Sequence, residues 1–196
     1  LVLDGAMGTA IQAKNLSAQH FGGPELEGCN ENLVLTRPNL IKEIHEAYLE
    51  AGADIVETNT FGATPLVLDE YGLGSKTHQI NLAAAHLARA AADKFSTPEK
   101  PRWVAGSMGP TTKAISVTGG VTFDELYQNF YAQASSLLEG GVDYFLIETC
   151  QDTRNIKAAI LAIQDLLKEK HTQIPIAVSI TIEAMGTMLA GQGVEA

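Results

Sequence analysis

The sequence contains only two cysteines among its 196 residues, Cys29 and Cys150, and they lie far apart in the chain. They form no Cys-x-x-Cys pair and cannot build a disulfide framework, which excludes a small disulfide-stapled domain. Their spacing is not typical of a metal site either. The cysteine content therefore favours a reducing, cytoplasmic setting.

Positive charge and long apolar segments are also scarce. Thirteen Lys and Arg stand against 23 Asp and Glu, which gives a net charge of −10 without any basic run. This balance argues against a nucleic-acid-binding or anionic membrane-binding surface. No apolar run approaches the roughly 18–20 residues of a membrane-spanning helix. We therefore expect a small polar or cationic substrate, no nucleic acid and no membrane.

Signatures of several enzyme classes are missing as well. The chain has no Gly-x-Ser-x-Gly nucleophile elbow, and no Gly-x-Gly-x-x-Gly motif follows its first apolar segment. No Ser-His-Asp arrangement is visible, because the five histidines fall mostly on predicted helices or loops and none ends a predicted strand. The residues therefore indicate no catalytic side chain.

What is present suits one sizeable core, with 45% hydrophobic and 18% charged residues. Short apolar segments predict five strands, which start near residues 1, 54, 102, 143 and 174. Apolar residues spaced three and four apart predict helices within residues 32–50, 64–71, 77–94, 122–140 and 153–170. Residues 10–31 are predicted to be irregular, and residues 183–196 to be loop or the start of one further helix. Since Leu1 already lies in a strand pattern, we expect the natural chain to begin before it.

The alternation of strands and helices predicts a parallel sheet covered by helices. Residues 50–58, EAGADIVET, and 139–149, EGGVDYFLIET, repeat one unit of helix end, glycine turn and strand. A repeated βα unit favours a (β/α)₈ TIM barrel, with a doubly wound sheet as the alternative. Eight such units need roughly 300 residues, against about 250 in a typical barrel. Residues 1–196 are thus expected to be the N-terminal five βα units of one domain, cut after strand five.

The carboxyl ends of the strands are where a TIM barrel carries its site. Polar residues stand at all five predicted ends: Asp4, Glu57 with Asn59, Ser107, Glu148, and Thr181 with Glu183. A carboxylate under the helix layer would be costly, so Glu148 is expected to point into the barrel. Asn59 is expected near the mouth, with Glu57 as a deeper structural partner.

These residues predict a receptor for a free α-amino acid. Asp4 and Glu148 could hold an ammonium group, and the backbone amides of Gly5 and Ala6 could hold a carboxylate. Cys150 follows a strand end, and it either lines the site or is a small buried residue.

Six segments in order along the chain resemble the homocysteine S-methyltransferase family. They are LVLDGAMGT at 1–9, GCNENLVLTRP at 28–38, EAGADIVETNTFGAT at 50–64, GSMGPTTK at 106–113, EGGVDYFLIET at 139–149 and TIEAMGTMLAGQ at 181–192. DGAMGT and ETNTFGAT mark the family. The segment at 28–38 is similar to the homocysteine-binding module of the cobalamin-dependent methionine synthases.

The resemblance implies a TIM barrel that binds L-homocysteine and zinc, with the homocysteine thiol held on the metal as a thiolate. The thiolate would take a methyl group from methylcobalamin to form methionine. Folate- and cobalamin-binding modules of the same polypeptide would recharge the cobalamin from methyltetrahydrofolate. The alternatives are S-methylmethionine or betaine as donor, a fusion to a folate reductase, and a non-catalytic segment that only binds the amino acid.

The resemblance also assigns residues position by position, with Asp4 and Glu148 on the ammonium and the amides of Gly5 and Ala6 on the carboxylate. The full set of predicted homocysteine-binding residues is Asp4, Gly5, Ala6, Met7, Thr9, Asn59, Ser107 and Glu148. The family's zinc ligands are three cysteines, one after the sixth strand and an adjacent pair near the end of the barrel. Neither Cys29 nor Cys150 matches them. We therefore expect the zinc ligands outside this chain, which would be inactive by itself.

Overall fold

Four parallel strands lie side by side in chain order in a computed structural model, which describes residues 1–193. They are β1 (Ile55–Glu57), β2 (Trp103–Met108), β3 (Tyr144–Cys150) and β4 (Ile176–Ile180). In the register, Val56 lies beside Val104, and Phe145 lies between Gly106 and Ile176. A doubly wound sheet reverses its strand order, whereas a barrel keeps chain order. The predicted fold class is confirmed as the α/β arrangement of a partial TIM barrel.

Eight α-helices are present in the described part of the chain: α1 (Met7–Gln12), α2 (Ala18–Phe21), α3 (Leu33–Thr36), α4 (Pro38–Ala51), α5 (Pro65–Leu68), α6 (Thr77–Phe95), α7 (Phe123–Glu139) and α8 (Thr153–Glu169). The long helices α4, α6, α7 and α8 confirm the predictions from apolar spacing. The chain breaks at Arg37 between α3 and α4, because a residue before proline avoids the helical region and proline suits the first helical turn.

Residues 10–31 and 183–196 are the two long segments for which the sequence predicts little regular structure. Residues 10–31, predicted to be irregular, instead hold the second half of α1, all of α2, a 3₁₀ turn at Pro24–Leu26 and the start of another at Asn30–Asn32. Such short helices are set by local contacts, such as the Ser17 N–H donating to His20 Nδ1 at 3.0 Å, and are too short to show a period. Residues 183–193 form turns and loop, and residues 194–196 of the last predicted segment lie outside the described residues.

The opening segment is not the buried strand that its apolar residues predict. Leu3 makes an isolated parallel bridge with Ile55, and the Asp4 N–H donates to the Ile55 carbonyl at 3.0 Å. Leu1 and Val2 are 90% and 62% exposed. Within residues 1–193 only β1 pairs with this segment, so its other edge and its apolar side chains are uncovered.

The two faces of the sheet differ in what they bury. Val56, Val104, Phe145 and Ile147 point to the helices and form the main core with α6, α7 and α8. Side chains alternate along a strand, so Glu57, Ser107 and Glu148 share the opposite face. A second apolar cluster joins α1 to α6 beside the sheet, through residues such as Ile41 and Ile80. No helix among residues 1–193 is both long enough and apolar enough to cross a membrane.

A capping box stabilises the start of α7. Thr122 Oγ1 accepts the Glu125 N–H at 3.2 Å, and Glu125 Oε2 accepts the Thr122 N–H at 2.7 Å. Thr122→Ala should lower the free energy of unfolding by about 1 kcal/mol, because it leaves the Glu125 N–H without its side-chain acceptor. Urea unfolding measures this change. Thr122→Ser keeps the hydroxyl and serves as control, and an equal loss in both variants would contradict the capping role.

Candidate functional site

A cavity of about 250 Å³ opens at the carboxyl ends of β1, β2 and β3. Its walls come from the start of α1 and the residue before it, the end of β1 and the turn that follows, and the ends of β2 and β3. The lining residues are Ala6, Met7, Gly8, Glu57, Thr58, Asn59, Thr60, Phe61, Ser107, Glu148 and Thr149. A larger hollow of about 410 Å³ lies beside α1, but among the described residues that line it only Glu27 is charged. Carboxyl groups therefore converge at the strand ends and not at the larger hollow.

Five of the eight predicted binding residues line this cavity: Ala6, Met7, Asn59, Ser107 and Glu148. Asp4 lies next to it, because its Oδ2 accepts the backbone N–H of Glu57 at 3.1 Å. Gly5 precedes Ala6 and packs closely on Tyr48, whose ring would be 3.0 Å from a Cβ at Gly5. Thr9 is exposed on α1 and is not among the lining residues.

Glu148 is held at the cavity by the end of the neighbouring strand. The Ser107 hydroxyl donates to Glu148 Oε1 across β2 and β3. Burial raises the pKa of Glu148, while the Ser107 hydrogen bond acts to lower it. Ser107 thus orients the carboxylate and leaves its second oxygen available to a bound group.

Asp4 and Glu57 bring two further carboxyl groups to the same place. Burial, opposed by backbone hydrogen bonds and aided by the charge of Glu148, raises the pKa of Asp4 to about 7. Burial and the charges of Glu148 and Asp4 raise the pKa of Glu57 to about 8. Asp4 Oδ1 is buried and has no hydrogen-bond partner in the described part of the chain.

None of these three carboxyl groups is paired with a basic side chain within residues 1–193. Three partly buried carboxylates without a counter-charge repel one another, so the site favours protons or a bound cation. An ammonium group supplies the charge and three hydrogen-bond donors. Glu57 itself lines the cavity, whereas the sequence pattern indicated a partner for a deeper polar group.

The backbone of Gly5 and Ala6 offers donors beside these acids. Neither N–H has an acceptor among residues 1–193. The Ala6 carbonyl, in contrast, accepts the Ala10 N–H at 3.2 Å and the Tyr48 hydroxyl at 3.4 Å. These two contacts fix the backbone at Ala6, and the free N–H groups of Gly5 and Ala6 remain available to an anion such as a carboxylate.

Two threonines that the sequence pattern did not single out tie the strand ends together. Thr58 Oγ1 accepts the Ser107 N–H at 3.0 Å, and Thr60 Oγ1 donates to the Ser107 carbonyl at 2.7 Å. The Asn59 side-chain amide donates to the Asn30 carbonyl at 2.8 Å, so the turn after β1 is fixed on both sides. Their alternation with Asn59 in the ETNT run is the one sequence signal that points to them.

A β-bulge in β3 determines which residues near Glu148 reach the cavity. Ile147 pairs with Val178 and Cys150 with Ile180, so β3 has one residue more than β4 between these pairs. Strict alternation would put Cys150 on the same face as Glu148. The extra residue returns Cys150 to the helix-facing core, and Thr149 lines the cavity instead. Of the two readings of Cys150, the buried residue is the one observed.

The described residues do not fit the zinc site that the resemblance implies. Within residues 1–193 no group of three His, Cys, Asp or Glu side chains could hold a metal ion. Cys29 and Cys150 are buried in separate apolar clusters, and burial raises the pKa of these thiols to about 11 and about 12. A thiol that stays protonated is a poor metal ligand.

Comparisons with known proteins agree with this architecture. The family model described as homocysteine S-methyltransferase matches residues 1–196. The oxidised form of the homocysteine methyltransferase MmuM from Escherichia coli is similar at a TM-score of 0.78 and 23% identity, over 99% of this chain and 66% of that one. Its apo form gives a TM-score of 0.72 and 23% identity, over 99% and 64%. At this identity the likeness supports the fold, and the chain spans about two thirds of those structures.

Proposed function

Because the chain belongs to the homocysteine S-methyltransferase family, we propose that the strand-end cavity binds L-homocysteine and presents its thiol for methylation to methionine. The observation that carries this proposal is the composition of the cavity. Among residues 1–193, Glu57 and Glu148 line it and Asp4 adjoins it without a basic partner, beside the free backbone N–H groups of Gly5 and Ala6. This arrangement is complementary to the ammonium and carboxylate of one α-amino acid.

Each proposed contact follows from the position of its residue. Glu148 and Asp4 bind the ammonium, and Ser107 keeps one oxygen of Glu148 engaged so that the other faces the ligand. The N–H groups of Gly5 and Ala6 bind the carboxylate. For contacts with the rest of the amino acid we propose Met7 and Asn59, which line the cavity. Thr9 remains a proposed binding residue, although it is not among the residues that line the cavity.

For the methyl donor we propose methylcobalamin, recharged from methyltetrahydrofolate on neighbouring modules of the same polypeptide. The support is the similarity of residues 28–38 to the cobalamin-dependent methionine synthases. S-methylmethionine, betaine and a fused folate reductase are the competing donor systems. A cytoplasmic setting is proposed because both cysteines are free and buried.

The assay that tests this function uses the full-length protein with L-homocysteine and one donor at a time, and methionine is measured by mass spectrometry. Methionine formed with methylcobalamin supports the proposal. Methionine formed only with S-methylmethionine or betaine replaces the donor, and binding without turnover under every donor favours the non-catalytic alternative. A full-length protein that does not bind homocysteine contradicts the proposal.

For zinc, we propose that the ligands lie outside residues 1–193, and hence that residues 1–196 alone do not complete methyl transfer. Cys29→Ala and Cys150→Ala in the full-length protein should leave the zinc content per chain unchanged, because both thiols are buried in apolar clusters. Elemental analysis by mass spectrometry measures the metal, with circular dichroism to verify folding. A folded variant that loses its zinc would contradict the assignment.

A further inference from the structure

Thr149 occupies a backbone conformation that threonine rarely adopts. Its φ angle is +57°, in the left-handed region, where a β-branched side chain is strained. Such strain persists when the surroundings enforce it, and it clusters at binding sites. The strained backbone of Thr149 therefore indicates a functional role in addition to its place in β3.

Hydrogen bonds on both sides of Thr149 enforce this conformation. The Thr149 N–H donates to Ser179 Oγ at 3.1 Å, and the Thr181 N–H donates to the Cys150 carbonyl at 2.9 Å. Together with the register shift they hold the extra residue of β3 out of the ladder. As a result two successive residues, Glu148 and Thr149, line one cavity, whereas successive residues of a regular strand face opposite sides of the sheet.

The Thr149 hydroxyl has no hydrogen-bond partner within the described part of the chain, 1–193. Its neighbours on the cavity wall do: Ser107 donates to Glu148, and the Thr58 and Thr60 hydroxyls bond to each other at 2.6 Å. A hydroxyl that lines a cavity beside a carboxylate, and that no protein group uses, is available to a ligand.

We infer that Thr149 is a further substrate-binding residue, whose hydroxyl accepts a hydrogen bond from the α-ammonium group that Glu148 binds. The bulge is the device that brings the hydroxyl to the cavity. This inference rests on the proposed function, since it presumes that an α-amino acid occupies the site.

Three variants of the full-length protein separate the hydroxyl from the backbone. Thr149→Val removes the hydroxyl and keeps the shape, Thr149→Gly removes it and relieves the strained φ, and Thr149→Ser retains it. The Kd for L-homocysteine, measured by calorimetry, should rise about tenfold in the Val and Gly variants and stay within about threefold in the Ser variant. Thr172→Val, in the loop after α8, is the matched control and should bind like the wild type.

A ligand without the amino group gives a readout that a structural role would not change. The Kd for 4-mercaptobutanoate should be equal in the wild type and in Thr149→Val, because the contact with the ammonium is absent in both. The inference is overturned if Thr149→Val or Thr149→Gly binds homocysteine like the wild type, if Thr149→Ser binds as weakly as Thr149→Val, or if both ligands lose affinity equally. A wild type that binds no homocysteine overturns the proposed function as well, so the two failures are distinguishable.

Discussion

Glu148→Gln should weaken the binding of L-homocysteine by about 1–3 kcal/mol, roughly 5- to 150-fold in Kd. The amide keeps the size of the side chain but removes the charge that faces the ammonium, and it turns one acceptor into a donor. Ser107 donates to the carboxylate when no ligand is bound. In the variant, Ser107 and the ammonium therefore compete for the single amide oxygen of the glutamine. Calorimetry near pH 7.5 measures the change.

The other predicted ammonium ligand tests the same assignment independently. Asp4→Asn should weaken binding on the same scale, because Asp4 Oδ1 is buried with no other partner in the part of the chain that is described, residues 1–193. Glu139→Gln, on the exposed end of α7, makes the same chemical change away from the cavity and should bind normally. Unchanged affinity in both Glu148→Gln and Asp4→Asn would refute the ammonium site.

The fold was predictable where burial alone determines the local structure. In α6 to α8 the apolar residues recur on one face, and β2 and β3 are apolar runs, so period and composition indicate these elements directly. Helices α1 and α2 were not predicted, because four to six residues stabilised by local hydrogen bonds are too few to show a helical period. Residues 1–3 show the opposite failure, since apolar composition predicts burial without knowing which neighbours cover the strand.

The site was predictable to the extent that strand alternation holds. Glu148 faces the cavity as alternation requires, whereas the bulge that follows it reverses the expected sides of Thr149 and Cys150. A bulge depends on hydrogen bonds with the partner strand, here through Ser179, and those contacts are not encoded in the spacing of β3 itself. The sequence also could not predict that, among residues 1–193, the three carboxyl groups lack a basic partner, because this depends on where the basic residues lie in the fold.

The charge at these carboxyl groups predicts an unusual dependence of stability on pH. The folded-state pKa of Asp4 is about 7 and that of Glu57 about 8, both above their usual values in an unfolded chain. The native state therefore binds more protons than the unfolded state between about pH 4 and pH 8. The contribution of these groups to stability is complete below about pH 4 and is lost as the pH rises through 7 and 8.

Glu57→Gln should remove much of this loss. The amide has no charge to repel Asp4 and Glu148, so at pH 8.5 the ligand-free variant should be more stable than the wild type by an amount on the order of 3 kcal/mol. At pH 5, where Glu57 is protonated in the native state, the two proteins should be nearly equal. Urea unfolding followed by circular dichroism between pH 5 and 9 measures both curves.

Buried His45 determines how stability falls at acidic pH. This part of the pH profile should be the same in Glu57→Gln as in the wild type. Burial lowers the pKa of His45 to about 4, below the usual value in an unfolded chain, so its contribution is complete above about pH 6.5 and is lost as the pH falls towards 4. Glu50→Gln, exposed on α4, is the matched control for the loss of one carboxylate. Glu57 belongs to the group of three carboxyl groups at the strand ends, and Glu50 does not. An equal change in the free energy of unfolding in both variants, or no change in either, would contradict the charge repulsion at the strand ends.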